Sequence, residues 1–342
     1  MLDDLKYIHQ RDGQDALGIA EKQPEQLVHD FKFTVSYGDI DNVVFAGMGG
    51  SAIAGLMSRS WPAHNKVPFE VCRQYTIPGY VGKNTLFIAS SYSGNTEETV
   101  DGLAQAEAKG AKIVVIAGGG KLIETAQAKS YPHIVLPKVG QPRYAVFYSF
   151  NALVKVLETV GLVDAGSSEQ LKKAAPFLDN AKASWLPTVR SDDNAAKKLA
   201  LELAGKSIVI YAGPLMSPAA YKWKISFNEN AKNIAWWNEA PEWNHNETSG
   251  WLEQPVQKPY AVVDLRSNLE NQQVQKRFEL LARLLSGKRP APEIVQAEGS
   301  NVLEQMLCTI MFGDFTSLYL ALANNVNPSP VDVQERIKKE LV

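Results

Sequence analysis

The strongest constraint on this chain is a plan that occurs twice: a short, wholly apolar run meets glycine and gives way to a helix. Asn42–Ala46 (NVVFA) runs into Gly47-Met48-Gly49-Gly50, and Ser207–Tyr211 (SIVIY) runs into Ala212-Gly213-Pro214. A strand apolar at every position is covered on both faces, and such strands interleaved with helices imply a parallel sheet wrapped by helices. Further strands are expected at Phe69–Arg73, Thr85–Ala89, Lys112–Ala117 and His133–Leu136, with helices at Ser51–Arg59, Thr96–Lys109 and about Tyr144–Val160. The second half repeats the plan. Ser191 should cap a helix over Asp192–Ala204, another opens near Pro218, and strands follow at Tyr260–Leu265 and Glu293–Gln296. Helices are expected to about Ser286, through Leu322 and after Pro330. The first 40 or so residues read as polar helix broken at Pro24, and Gly161–Ser168 with the uneven stretch beyond it reads as a linker. The expected division is therefore residues 1–165 and 166–342, two three-layer α/β/α domains with parallel sheets.

Charge and cysteine usage exclude several classes. Lys+Arg number 35 against 37 Asp+Glu, a net −2, which argues against a general nucleic-acid binder or a polybasic membrane binder. Cys72 and Cys308 are the only cysteines, too few for a disulfide framework or a zinc site and consistent with a reducing compartment. The first residues contain no apolar segment of signal-peptide type, and no apolar run is read as reaching the ~18 residues of a membrane span. A soluble cytoplasmic protein is expected. No pair of His, Cys and carboxylate residues has metal-ligand spacing, so no metal is expected.

Two segments carry anion-binding chemistry. Gly47-Met48-Gly49-Gly50-Ser51 lies where a strand meets a helix, so free amides and the positive end of the helix dipole face any ligand there. It also imitates a dinucleotide fingerprint, Gly47-x-Gly49-x-x-Ala52, but the next strand ends in Arg73 where the ribose-binding acid should stand. The second segment, Ser90-Ser91-Tyr92-Ser93-Gly94-Asn95-Thr96-Glu97-Glu98-Thr99, follows a strand and opens a helix. Capping needs one hydroxyl; Ser91, Ser93 and Thr96 supply three, which can donate to a phosphate without adding charge.

GMGGSAIAG together with SYSGNTEET resembles a sugar isomerase (SIS) domain, a phosphosugar-binding module. With FNENAK (Phe227–Lys232), NEAPEWNHNE (Asn238–Glu247) and the ending NPSPVDVQERIKKEL, the chain resembles the bifunctional phosphoglucose/phosphomannose isomerase family from about Asp41 onward. The resemblance implies isomerisation of glucose 6-phosphate and mannose 6-phosphate with fructose 6-phosphate through a cis-enediol, without metal or redox cofactor. It implies that Gly49, Gly50, Ser51, Ser91, Ser93 and Thr96 hold the sugar phosphate, and that Glu229 and His245 are catalytic. Arg143, after Pro142, would stabilise the enediolate, and Lys338 would reach the ring oxygen or C1 hydroxyl, with Lys339 one residue away. Val331 stands where related sequences carry a threonine associated with use of the mannose substrate; the nearest hydroxyl is Ser329.

The chemistry suits the residue types. Moving a proton between C1 and C2 needs one base over both carbons, and ring opening needs an acid/base pair. Glu229 follows Tyr221 and Ile225 at helical spacing, although on the residues alone it reads equally as a surface glutamate between Asn228 and Asn230. His245 lies in a polar loop, where an imidazole can meet a ligand and pass a proton. Trp223, Trp236, Trp237, Trp243 and Trp251 read as core or subunit-interface packing rather than a sugar platform. The apolar segment between Glu229 and His245 suggests a homodimer whose partner buries it, with His245 crossing into the neighbour's cleft. A non-catalytic phosphosugar-binding protein and a nicotinamide dehydrogenase are the competing readings.

Overall fold

The computed structural model describes residues 1–62, 66–253 and 259–340, except for the side chains of 253, 338 and 339. The chain forms two compact units, Lys22–Phe177 and Met1–Glu21 with Leu178–Val342. This differs from the expected division at 165 at both ends: the first 21 residues join the later unit, and residues 166–177 stay with the earlier one.

The Lys22–Phe177 unit holds β1 (Asn42–Ala46), β2 (Phe69–Cys72), β3 (Thr85–Ser91), β4 (Lys112–Ala117) and β5 (His133–Val135) in the order β2-β1-β3-β4-β5. Every pairing is parallel; Val43 faces Leu86, and Leu86 faces Lys112. Alternate strand residues serve opposite faces. Val44, Phe87 and Val115 pack with Leu103, Ala106 and Leu122 from helices Glu97–Ala108 and Gly120–Ala128. The opposite face, with Phe45 and Val114, is covered by helices Ile53–Met57 and Val146–Thr159. The helical start is interrupted at Lys22, ahead of Pro24: Ala16–Glu21 ends there, and Pro24 lies in the first turn of the next helix, Gln23–Val28, where a missing amide costs nothing. That helix is fixed by Gln26, whose side chain donates to the Tyr144 carbonyl and accepts from the Tyr148 amide.

The other unit holds β6 (Ser207–Ala212), β7 (Ala235–Glu239), β8 (Tyr260–Arg266) and β9 (Pro292–Gln296), parallel throughout and ordered β7-β6-β8-β9. Helices Ser217–Glu229, Ala195–Leu203 and Val302–Ala323 pack together on one side, and Gln272–Leu284 supplies Val274 and Phe278 to the other. Asn194, rather than Ser191, caps the helix Ala195–Leu203, its side chain accepting from the Lys197 amide at 3.0 Å; Ser191–Asp193 form a separate 3₁₀ turn. The expected linker beyond Gly161 is in fact a 16-residue helix, Ser167–Lys182, with Pro176 inside it.

Val302–Ala323 is the long core helix of this unit. It is long and apolar enough to cross a membrane, yet 89% of its apolar window is buried within the protein. Its one buried carboxylate is paired as a core helix requires: Asp314 holds Lys222 in an ion pair with both side chains essentially inaccessible, and Ser226 Oγ lies 2.8 Å from the same carboxylate.

Candidate functional site

The carboxyl end of β3 is the best-built polar site in the Lys22–Phe177 unit. The strand remains apolar to Ala89, then continues into Ser90 and Ser91, which are buried. The loop 92–96 returns over the strand ends to the helix Glu97–Ala108. Ser91 Oγ lies 2.8 Å from Thr96 Oγ1 and 3.4 Å from Ser93 Oγ, so the three predicted hydroxyls form one cluster. Thr96 occupies the N-cap, but its side chain makes no capping hydrogen bond. Its hydroxyl is directed to Ser91 instead, which removes the simplest alternative use for it. Glu97, in the first turn, accepts from the Tyr75 hydroxyl at 3.2 Å.

Ser51, buried at the start of the glycine segment, accepts from the Tyr92 amide at 3.0 Å and ties the two predicted anion loops together. Gly49 and Ser51 belong to the 3₁₀ turn Gly49–Ala52, and Gly50 within it packs against the backbone of Pro142 and Arg143. Arg143 itself is 1% exposed, its guanidinium 4.7 Å from the Tyr144 ring centre. All seven candidates in this unit therefore belong to connected loops at the β1 and β3 ends.

A further loop, unnoticed in the sequence, braces the hydroxyls. Gly118-Gly119-Gly120 follows β4; Gly118 N donates to the Tyr92 carbonyl at 3.0 Å, Leu122 N to the Gly94 carbonyl at 3.0 Å, and Lys121 N to Asn95 Oδ1 at 2.9 Å. Gly94 has φ +71°, and a Cβ there would lie 1.6 Å from the Gly119 carbonyl oxygen, so no other residue fits this crossing. The run of three glycines after an apolar strand was the available signal.

In the other unit, Glu229 is the last residue of helix Ser217–Glu229 and is half-buried. Its surroundings are at the amino end of the sheet. Asn228 Nδ2 donates to the Ala235 carbonyl at 3.0 Å, and Lys232 Nζ bonds the Glu229 and Pro328 carbonyls at 2.7 and 3.1 Å. His245 closes the turn Glu242–His245 beyond the carboxyl end of β7 and is exposed. The five residues of β7 separate its ends by about 13 Å at 3.3 Å per residue. The two residues of one chain thus lie at opposite ends of the sheet. Lys338 lies in the helix Asp332–Glu340, which Val331 precedes; the Lys338 side chain is outside the described residues.

The turn bearing His245 is held rigidly. Trp243 is fully buried and stacks on Tyr211 with ring centres 4.0 Å apart. Tyr211 donates to Glu247 Oε2 at 2.5 Å and accepts from Trp251 Nε1 at 2.8 Å, while Asn238 Nδ2 donates to Glu247 Oε1 at 2.6 Å. Burial, with the Glu247 carboxylate beside it, pushes the Tyr211 phenol well above its ordinary range, so it remains a donor. Trp223, Trp243 and Trp251 are core residues, whereas Trp236 on the edge strand β7 is 52% exposed.

Comparison with known proteins places these features in context. Residues 37–150 match the SIS domain family, and residues 192–341 match the bacterial phospho-glucose isomerase C-terminal SIS domain. The bifunctional phosphoglucose/phosphomannose isomerase of Caldicellulosiruptor bescii is 36% identical over 89% of this chain and 90% of its own length. The protein of the same description from Aquifex aeolicus is 32% identical over 87% and 90%. Among solved structures, a glucose-6-phosphate isomerase like protein from Thermus thermophilus shares the fold, with a TM-score of 0.66 and 20% identity over 99% of this chain and 98% of that one.

Proposed function

Because this chain belongs to the bifunctional phosphoglucose/phosphomannose isomerase family, we propose that it interconverts glucose 6-phosphate and mannose 6-phosphate with fructose 6-phosphate. The observation that carries the substrate class is the Ser91–Ser93–Thr96 cluster at a helix start, with the Thr96 hydroxyl unused for capping. Neutral donors at the positive end of a helix suit a sugar phosphate dianion. Glu229 is the proposed base that carries the proton between C1 and C2. His245 opens the ring, Arg143 offsets the developing enediolate charge, and Lys338 assists at the ring oxygen or C1 hydroxyl. Two free, buried cysteines suit a reducing cytoplasm, and an exchange among hexose 6-phosphates would serve glycolysis and gluconeogenesis.

The proposed enzyme is a homodimer with shared sites. Glu229 and His245 of one chain stand at opposite ends of a sheet, so His245 serves the partner's Glu229 rather than its own. Exposed Ile234 and Trp236, beside and on the edge strand β7, offer an apolar surface that a two-fold partner would cover.

A coupled assay with glucose 6-phosphate, mannose 6-phosphate and an amino-sugar phosphate tests the activity. Turnover of the first two supports the reading, and tight phosphosugar binding without turnover sinks it. Mixing inactive Glu229→Gln and His245→Ala subunits tests sharing. One intact site in each mixed dimer should restore up to about half the activity per heterodimer, and exchange without recovery refutes it.

A further inference from the structure

The two units share more than strand order. In each, the first strand is followed by a glycine turn and a helix. The strand beside it leads through a loop of five residues, 92–96 or 267–271, to a second helix. Thr96 and Asn271 are the matching N-caps, so Glu270 takes the place of Asn95. The hydroxyls of the first loop have no counterpart at the same positions of the second, which reads Ser267-Asn268-Leu269-Glu270-Asn271.

Glu270 is only 7% exposed and turns inward. Its Oε1 accepts from the Leu215 amide at 2.6 Å, just before helix Ser217–Glu229 begins. A Cβ on Gly213 would lie 2.4 Å from that oxygen, so the turn after β6 is shaped around the carboxylate. This turn at the end of β6 occupies the position of Gly47–Gly50 at the end of β1. Burial raises the Glu270 carboxyl, and the amides of Leu215, Met216 and Asn271 oppose that rise by favouring the anion. Glu239, at the end of β7, is the other carboxylate acting on it.

We infer that Glu270 is the built-in anion of a second oxyanion cradle, and that a phosphate-class oxyanion binds there once this carboxylate is removed. The filling of the second cradle stands on the contacts just given; only its kinship with the first rests on the phosphate reading above. The tandem chain then has two cradles of common plan, of which one is committed to an internal ligand. With Glu239 nearby, an added anion is held weakly, so inorganic phosphate at millimolar concentration is the suitable probe.

The test uses the full chain with Glu270→Ser, which removes the carboxylate and opens the space. Thermal melting is compared in chloride and in inorganic phosphate at equal ionic strength, always relative to the shift phosphate gives the wild type. Glu270→Ser should melt lower in chloride and recover in phosphate, and calorimetric titration should show one more phosphate per chain than wild type. Adding Thr96→Val should leave that extra site in place. Glu270→Gln keeps the cradle filled and should gain no site; an equal gain there would locate the phosphate elsewhere and overturn the inference. No phosphate-specific recovery and no added site in Glu270→Ser would also overturn it. If the Ser variant does not fold in chloride, its refolding yield in phosphate against chloride decides, equal yields counting against the inference. Loss of wild-type phosphate binding on Thr96→Val bears only on the first cradle, so the two readings fail separately.

Discussion

Replacing Thr96 with valine separates a ligand-binding hydroxyl from a capping one. The substitution keeps the branched shape and removes one oxygen. Thr96 Oγ1 contacts Ser91 Oγ at 2.8 Å and makes no capping bond. Ser91 Oγ would still accept from the Gly94 amide at 3.1 Å, so the buried serine is not stranded. Stability should therefore change by less than about 1 kcal/mol, within the range of a single exchanged neutral hydrogen bond. A hydrogen bond to a charged phosphate contributes about 1.5–3 kcal/mol, so its loss raises KM by roughly 10- to 150-fold at 1.4 kcal/mol per decade. The phosphate is held in ground and transition states alike, so kcat should hold. Asn271→Ala supplies the contrast, because the Asn271 side chain does cap its helix, accepting from the Gln273 amide at 2.8 Å. That variant should lose about 1 kcal/mol of stability and leave KM alone. Steady-state kinetics with fructose 6-phosphate and urea denaturation read both. A Thr96→Val enzyme that is less stable by about 1 kcal/mol, with KM unchanged, would show the hydroxyl to be structural.

Asp314→Ala leaves the fully buried Lys222 without its carboxylate and should cost about 3–5 kcal/mol in chemical denaturation; a loss under about 1 kcal/mol would mean the pair contributes little. Tyr211→Phe keeps the stack on Trp243 but removes the bond to Glu247, loosening the turn that carries His245. It should lower kcat with little change in KM, whereas a pure KM effect would separate this network from His245. In the same way, Asn238→Ala removes the second anchor of Glu247 and should act in the same direction as Tyr211→Phe, with the double variant less than additive because both hold one carboxylate.

The strands were legible where burial is two-sided. NVVFA, TLFIA, KIVVIA and SIVIY lie in the sheet interiors and present apolar residues to both helical layers. β7 was not, although Ile234-Ala235-Trp236-Trp237 is an apolar run: its tryptophans were read as core or interface packing, and Trp236 is exposed on the edge strand. Helix Gly120–Ala128 opens on glycines, poor helix formers, and was not read at all. Ser167–Lys182 is polar, with an internal proline, and so read as a linker. The core helix Val302–Ala323 escaped membrane suspicion because Glu304 and Asp314 interrupt its apolar residues, yet its burial all round is what its composition requires. The hydroxyl cluster was readable because the three side chains fall within one short stretch, from the last residue of β3 to the N-cap of the next helix. Glu270 was not, since its meaning lies in the approach of Leu215, 55 residues away in sequence. The Tyr211–Glu247–Asn238 bracket is equally a product of the folded sheet.

The most direct test of the proposed chemistry is proton exchange at C2 of the sugar phosphate in deuterated water, measured by NMR for wild type and Glu229→Gln. The wild type should incorporate deuterium at C2 as it isomerises. Glu229→Gln should still bind the sugar phosphate and lose exchange by at least ~100-fold, the low end for removal of a general base. Exchange persisting at the wild-type rate in Glu229→Gln would contradict the assignment of the base and, with it, the proposed mechanism.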